Sequence, residues 1–220
     1  MSNEKDTILT RIREALQLGG SKDSNEATSN VADCLPAVGA TPAERLALFA
    51  SNAASLAATF HDCASRSDAI AVLRSIAEAE GWKYVALHSA PILEDFANSL
   101  GDVGFFLTDR PYDKASLEKC DAAFTTCECL VAQTGSVMVS SAATGGRALS
   151  VLPPHHVVIA TRDQLLPDLA TAYAFVREKY SEKLPSMISL ITGPSRTGDI
   201  ERILVLGVHG PRKLTIILIP

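Results

Sequence analysis

Residues 67–87, SDAIAVLRSIAEAEGWKYVAL, decide the fold class. Apolar side chains recur at helical spacing over residues 68–80, Gly81 supplies a stop, and Tyr84-Val85-Ala86-Leu87 has the make-up of a short strand. Downstream the rhythm continues with a helix over 92–100, an apolar run over 103–107 and a helix over 114–120. The period then changes. Leu130-Val131-Ala132 and Val137-Met138-Val139 flank Gln133-Thr134-Gly135-Ser136, which reads as two strands meeting at a tight turn with Gly135 at positive φ. A strand at 157–160, a helix over 165–179, a strand at 187–191 and a last helix over 199–206 follow. The uninterrupted apolar run 215–219 suits an interior strand covered on both faces. This order predicts an α/β fold, a mostly parallel open sheet with flanking helices.

Upstream, Thr41-Pro42-Ala43-Glu44 sets a capping hydroxyl, a Pro and a Glu ahead of an apolar run, predicting a helix from there to about residue 57. Earlier still, Ile8, Ile12 and Leu16 stripe a helix over 4–18, and the GGSKDSNEATSN that follows has almost nothing to bury. The expected division is a helical arm with linker at 1–40 and a single α/β domain at 41–220. A helix this short is marginal alone in water, so the arm is expected to dock on the body, a sister chain in a homo-oligomer, or a partner; the linker's reach favours the last two.

Hydrophobic residues make up 47% of the chain and charged ones 20%, which excludes a disordered tail protein. Lys plus Arg number 20 against 25 for Asp plus Glu, and the net charge of -5 argues against a nucleic-acid partner. The start lacks the basic and apolar regions of a signal peptide. The longest charge-free apolar stretch, 46–60, is broken by Ser51, Asn52 and Ser55 and is too short to span a bilayer. No membrane insertion is expected. Cys34, Cys63, Cys120, Cys127 and Cys129 are odd in number and irregularly spaced, which fits a reduced, cytoplasmic chain. They show no iron–sulfur spacing and the histidines no zinc spacing, so no metal and no cofactor of its own is expected.

Ligands of open α/β sheets bind beyond the carboxyl ends of the strands, so polar loops there are the candidates. In Gly193-Pro194-Ser195-Arg196-Thr197-Gly198-Asp199, hydroxyls and a guanidinium gather ahead of the expected last helix, as an anionic small molecule would require; equally, Thr197 would simply cap that helix. Gly145-Gly146-Arg147 offers a second cation beside permissive backbone. Pro153-Pro154-His155-His156 leads into a strand whose neighbouring histidines face opposite ways, and His155 is the chosen candidate. His209, in Gly207-Val208-His209-Gly210-Pro211, reads either as a partner for a helix C-terminus or as a group titrating near neutrality. The candidate ligand-binding set is thus Thr134, Gly135, Arg147, His155, Ser195, Arg196, Thr197 and His209, with no catalytic residue assigned.

The motifs Gln133-Thr134-Gly135-Ser136, Gly146-Arg147, Leu152-Pro153-Pro154-His155, Gly193-Pro194-Ser195-Arg196-Thr197 with Asp199-Ile200-Glu201, and Gly207-Val208-His209-Gly210-Pro211 together resemble the LUD-domain family. They occupy mainly residues 122–220. The resemblance implies a fold like that of ribose-phosphate isomerases, glucosamine-phosphate deaminases and CoA-transferases. It also implies a part in oxidising L-lactate to pyruvate beside iron–sulfur partner proteins, which would carry the clusters. Two functional classes follow: an accessory, anion-binding component of lactate oxidation, or an enzyme acting on an acyl-CoA or phosphorylated small molecule by fold analogy. Gln133 stands where the family commonly has Glu, and Gly198 where it commonly has Ala. An amide cannot serve as a proton-transfer group or nucleophile in place of that acid.

Overall fold

A computed structural model describes residues 4–17, 36–109, 111, 113–200, 203–207 and 209–220. The chain separates into two units, Met1–Pro36 and Ala37–Pro220. The first holds helix α1 (Glu4–Gln17), on which Ile8, Leu9 and Ile12 are exposed. The linker read at residues 19–30 and Cys34 lie outside the described residues.

The second unit opens with α2 (Pro42–Ser55), started by a complete capping box: Thr41 N donates to the Glu44 carboxylate and Glu44 N to Thr41 Oγ1. Strand β1 (Thr59–Asp62) follows, then α3 (Arg66–Glu80), β2 (Tyr84–Leu87), α4 (Pro91–Asn98), β3 (Gly104–Leu107), α5 (Lys114–Glu118) and β4 (Ala122–Thr125). With β7 (His155–Thr161) and β12 (Lys213–Ile219), these strands form a six-stranded sheet in the order β1-β12-β7-β4-β2-β3, every pair parallel. The mostly parallel α/β sheet expected from the sequence is therefore present. Its last strand is interior, paired on both sides.

Side chains alternate across this sheet. One face, with Leu87, Phe124, Val157 and Ile159, packs on Leu73 of α3 and on Leu93 and Phe96 of α4. The other, with Val158, Ile216 and Leu218, meets Phe49 of α2 and a second sheet. That sheet joins β5 (Cys129–Val131), β6 (Ser136–Ser140), β8 (Leu165–Leu166) and β9 (Ile188–Ile191) in the order β8-β5-β6-β9. Leu130, Val137 and Val139 point inward, whereas Cys129, Val131 and Met138 point out against α6 (Leu169–Lys179). Two layers thus cover what would otherwise be an apolar face of each sheet.

Three expectations change. The helix read from residue 165 begins only at Leu169, capped by Asp168, because Leu165 and Leu166 first pair with β5. The strand read at 187–191 joins the second sheet, antiparallel to β6, and not the main one. Residues 199–200 and 203–206 form no helix. They lie in an antiparallel hairpin, β10 (Arg196–Ile200) with β11 (Ile203–Leu206), where the aliphatic run of β11 finds a paired strand.

Candidate functional site

Strands β7 and β12 begin at His155 and Lys213, so the loops that feed them define the amino edge of the sheet. Arg212 N and Lys213 N both donate to Pro154 O, at 2.8 and 3.2 Å. Ser195 N donates to Pro211 O and Gly207 N to Ser195 O, each at 2.9 Å, which ties the turn before β10 to the turn after β11. A Cβ on Gly210 would lie 3.0 Å from Ser195 Cβ, so glycine is what lets the two turns approach this closely. Between them opens a cavity of about 250 Å³, with Ser195, His209 and Thr192 among its polar walls and the buried His156 and Leu214 also lining it.

His156 is the buried polar group of this cavity, 1% exposed. Its Nε2 pairs with Thr125 Oγ1 at 2.8 Å. Its Nδ1, like His61 Nε2, has no hydrogen-bond partner among the described residues. Burial, reinforced by the neighbouring His155, pushes the imidazole down to about 3, so it is neutral at physiological pH. Ser195 Oγ and the His209 ring are likewise without a hydrogen bond among the described residues, Ser195 half-buried and His209 exposed at the rim. Thr192 joins a hydroxyl relay. Ser136 Oγ donates to Thr134 Oγ1 at 2.8 Å, so Thr192 is the donor in its 2.8 Å bond to Ser136.

The structure sorts the candidate residues by edge. Ser195 and His209 line the cavity, and Thr134 reaches it through Ser136 and Thr192. Arg147 does not. Its guanidinium donates to Ser186 O at 2.8 Å, and the neighbouring Gly145 packs against His88, just past the carboxyl end of β2. Arg196 donates to Leu56 O, beside the amino end of β1. The two guanidiniums therefore lie at opposite edges, each paired with a carbonyl, and they form no shared anion site. Thr197 is a β10 residue opposite Val205, so no helix begins there and no helix dipole faces a ligand.

His155 looks away from the cavity. Its Nδ1 meets Glu80 at 2.9 Å and its Nε2 meets Thr215 Oγ1 at 2.8 Å, with Trp82 edge-on at 5.3 Å. Carboxylate, imidazole and hydroxyl in line have the outline of a catalytic triad. Thr215, however, is 3% exposed inside the interior strand, where no substrate reaches it. Glu80 also accepts from Trp82 Nε1 and Lys213 Nζ, so the group clamps α3 to β7 and β12. Burial lowers the His155 pKa against the opposing pull of Glu80.

Gly135, with φ of 64°, presses its turn on α2, where a Cβ would come within 2.7 Å of Ala53 N. Asn52 Nδ2 secures the same turn through Ala132 O and Gln133 O at 2.9 and 3.0 Å. Gln133 Oε1 accepts from Leu169 N, the first residue of α6, a task for which an amide oxygen suffices. Cys63, Cys120, Cys127 and Cys129 are buried thiols; burial raises Cys120 to about 11 and Cys129 to about 12. Among the described residues no three His, Cys, Asp or Glu side chains gather as a metal ion would need.

Comparison with known proteins gives the geometry its context. A model of the LUD domain matches residues 46–219. Lactate utilization protein C of Bacillus licheniformis is 35% identical over 104 residues, 46% of this chain and 43% of that protein. Its namesake in Deinococcus radiodurans is 34% identical over 112 residues, 50% of this chain and 52% of the relative. The uncharacterized protein YkgG of Escherichia coli is 42% identical over 89 residues, 40% and 38% of the two chains. The chain thus spans about half the length of the curated relatives it matches, or less. The crystal structure of a DUF162 family protein from Deinococcus radiodurans superposes with a TM-score of 0.62 at 21% identity, covering 83% of this chain and all of that one, which bears on the fold alone.

Proposed function

This chain belongs to the LUD-domain family, and from that premise we propose that it is a component of L-lactate utilization, a ligand-binding subunit working beside iron–sulfur proteins that oxidise L-lactate to pyruvate. The observation that carries the reading is the run of relatives named lactate utilization protein C at 34–37% identity. The amino-edge cavity supports a binding role, because His156, whose Nδ1 has no hydrogen-bond partner among the described residues, lines it together with Ser195 and His209. The cytoplasm suits this assignment, and among the described residues no helix is long and apolar enough to cross a membrane. Residues 1–40 act in this reading as an arm that docks on a sister chain or partner, and residues 41–220 as the binding domain.

The test is lactate oxidation in extracts of source cells with and without the chain. Lactate-dependent reduction of an electron acceptor should fall without it and return when the purified chain is added back. Rates indifferent to the chain would refute the assignment.

A further inference from the structure

The wall chemistry of the amino-edge cavity narrows its ligand, and the inference rests on the binding role proposed above. Among the described residues the lining contains no Asp, Glu, Lys or Arg. A phosphate ester or the diphosphate of CoA carries two or more negative charges and needs fixed cations or a helix N-terminus to replace its hydration. Neither is present, since Arg196 is held by Leu56 O and β10 stands where a helix was expected. The volume of about 250 Å³ corresponds to about eight waters of liquid, and it lies below the usual range for drug-sized ligands. Aliphatic groups from Ile191 and Leu214, which belong to the inner apolar cluster, line the space with the polar ones, so it favours a small ligand with an apolar part.

The polar groups set where that ligand's oxygens go. His156 Nδ1, deep and neutral, can offer a hydrogen bond but no charge, and an unpaired buried nitrogen is costly. Ser195 Oγ and His209, half-buried and exposed, sit nearer solvent, where a single carboxylate keeps part of its hydration. We infer that the cavity binds a short-chain hydroxy- or oxo-monocarboxylic acid, its hydroxyl or oxo oxygen on His156 Nδ1 and its carboxylate at the rim beside Ser195 and His209, and that it rejects phosphorylated and CoA-linked compounds.

Imidazole nitrogen NMR on the full chain labelled with ¹⁵N tests this, using L-lactate, pyruvate, propionate, inorganic phosphate and CoA as probes. The His156 Nδ1 signal should shift saturably with L-lactate or pyruvate at concentrations up to about 10 mM. Propionate, which lacks the second oxygen, should bind roughly tenfold more weakly, the scale of one hydrogen bond. Phosphate and CoA should leave the signal unmoved. Val151→Trp, placed at an exposed position of the rim, should abolish the shift without disturbing the buried side chains. His156→Gln should remove the preference for lactate over propionate, read by calorimetry. No saturable shift with either acid, a stronger response to phosphate or CoA, or binding unchanged in Val151→Trp would each overturn the inference. Lactate oxidation that needs the chain while no acid reaches His156 would leave the proposed role standing and remove only this ligand; an acid bound by a chain that lactate oxidation ignores would do the reverse.

Discussion

At the residue scale, His156 couples the candidate site to acid stability. Its folded pKa is depressed from the ordinary 6.5 to about 3, so between those values the unfolded chain binds a proton that the folded chain refuses. Stability therefore falls as pH drops through 6.5 and continues falling to about 3, with a slope of about 1.4 kcal/mol per pH unit for this one group. Burial lowers His61, His88 and His155 as well, adding slopes of the same sign. Urea unfolding of His156→Gln between pH 4 and 7 should show the slope reduced by about one proton. An unchanged slope would mean that His156 is protonated in the folded chain.

A buried charge, on Glu128, makes a sharper demand. The Glu128 side chain is fully enclosed, yet although burial raises its pKa, hydrogen bonds from Lys179, Ser140 and Tyr180 outweigh it and hold the carboxyl below its usual value. Removing the cation in Lys179→Met should destabilise the fold by about 2–3 kcal/mol, the scale of an orphaned buried carboxylate discounted for the half-exposed lysine. The effect should shrink in Glu128→Gln/Lys179→Met. Equal losses in the single and double variants, measured by denaturant unfolding, would show that the pair is not coupled.

At the element scale, the turn between β5 and β6 is a packing device seated on α2. Gly135→Ala should cost about 2 kcal/mol, since it places a Cβ against Ala53 N in a left-handed backbone conformation. Asn52→Ala, which frees two backbone carbonyls, should cost about 1–2 kcal/mol. A thermal shift near zero for both would mean that the turn stands independently of α2.

Elements with strong local signals were legible: the capping box of α2, the α3–β2 succession with its Gly81 stop, and the apolar run of β12. The β10–β11 hairpin was not, because Ile200, Ile203 and Leu204 also recur at helical spacing and Thr197 resembles a cap. Strand pairing, a tertiary event, decided between the two. β1 and β4 carry short sequences, Thr-Phe-His-Asp and Ala-Ala-Phe-Thr, with little strand character of their own. That His156 and not His155 lines the cavity was not legible for a related reason. Neighbours on a strand face opposite ways, but the sequence does not say which face receives α3 and which the second sheet. Thr125, the buried partner of His156, carried no signal beyond being a Thr at the end of a short strand.

At the scale of the whole molecule, the amino edge gathers segments far apart in sequence. The turns around Ser195 and His209 are joined by backbone bonds while β7 and β12 start beneath them, so the cavity depends on the closing of the parallel sheet and on no single motif. Residues 37–220 contain the buried apolar clusters, and deleting residues 1–36 should leave them folded with a melting temperature within a few degrees of the full chain. If the arm docks on a sister chain or partner, as proposed, the same deletion should lower the assembled mass in sedimentation. Loss of cooperative unfolding would place the arm in the protein's own core.

Whether this LUD-domain chain serves lactate oxidation through its amino-edge cavity is read from lactate-dependent acceptor reduction in an extract lacking the chain, restored with either the native protein or Val151→Trp. Native protein should restore the rate, and the variant with the filled cavity, folded to the same thermal stability, should not. Equal restoration by both would contradict a role for the cavity.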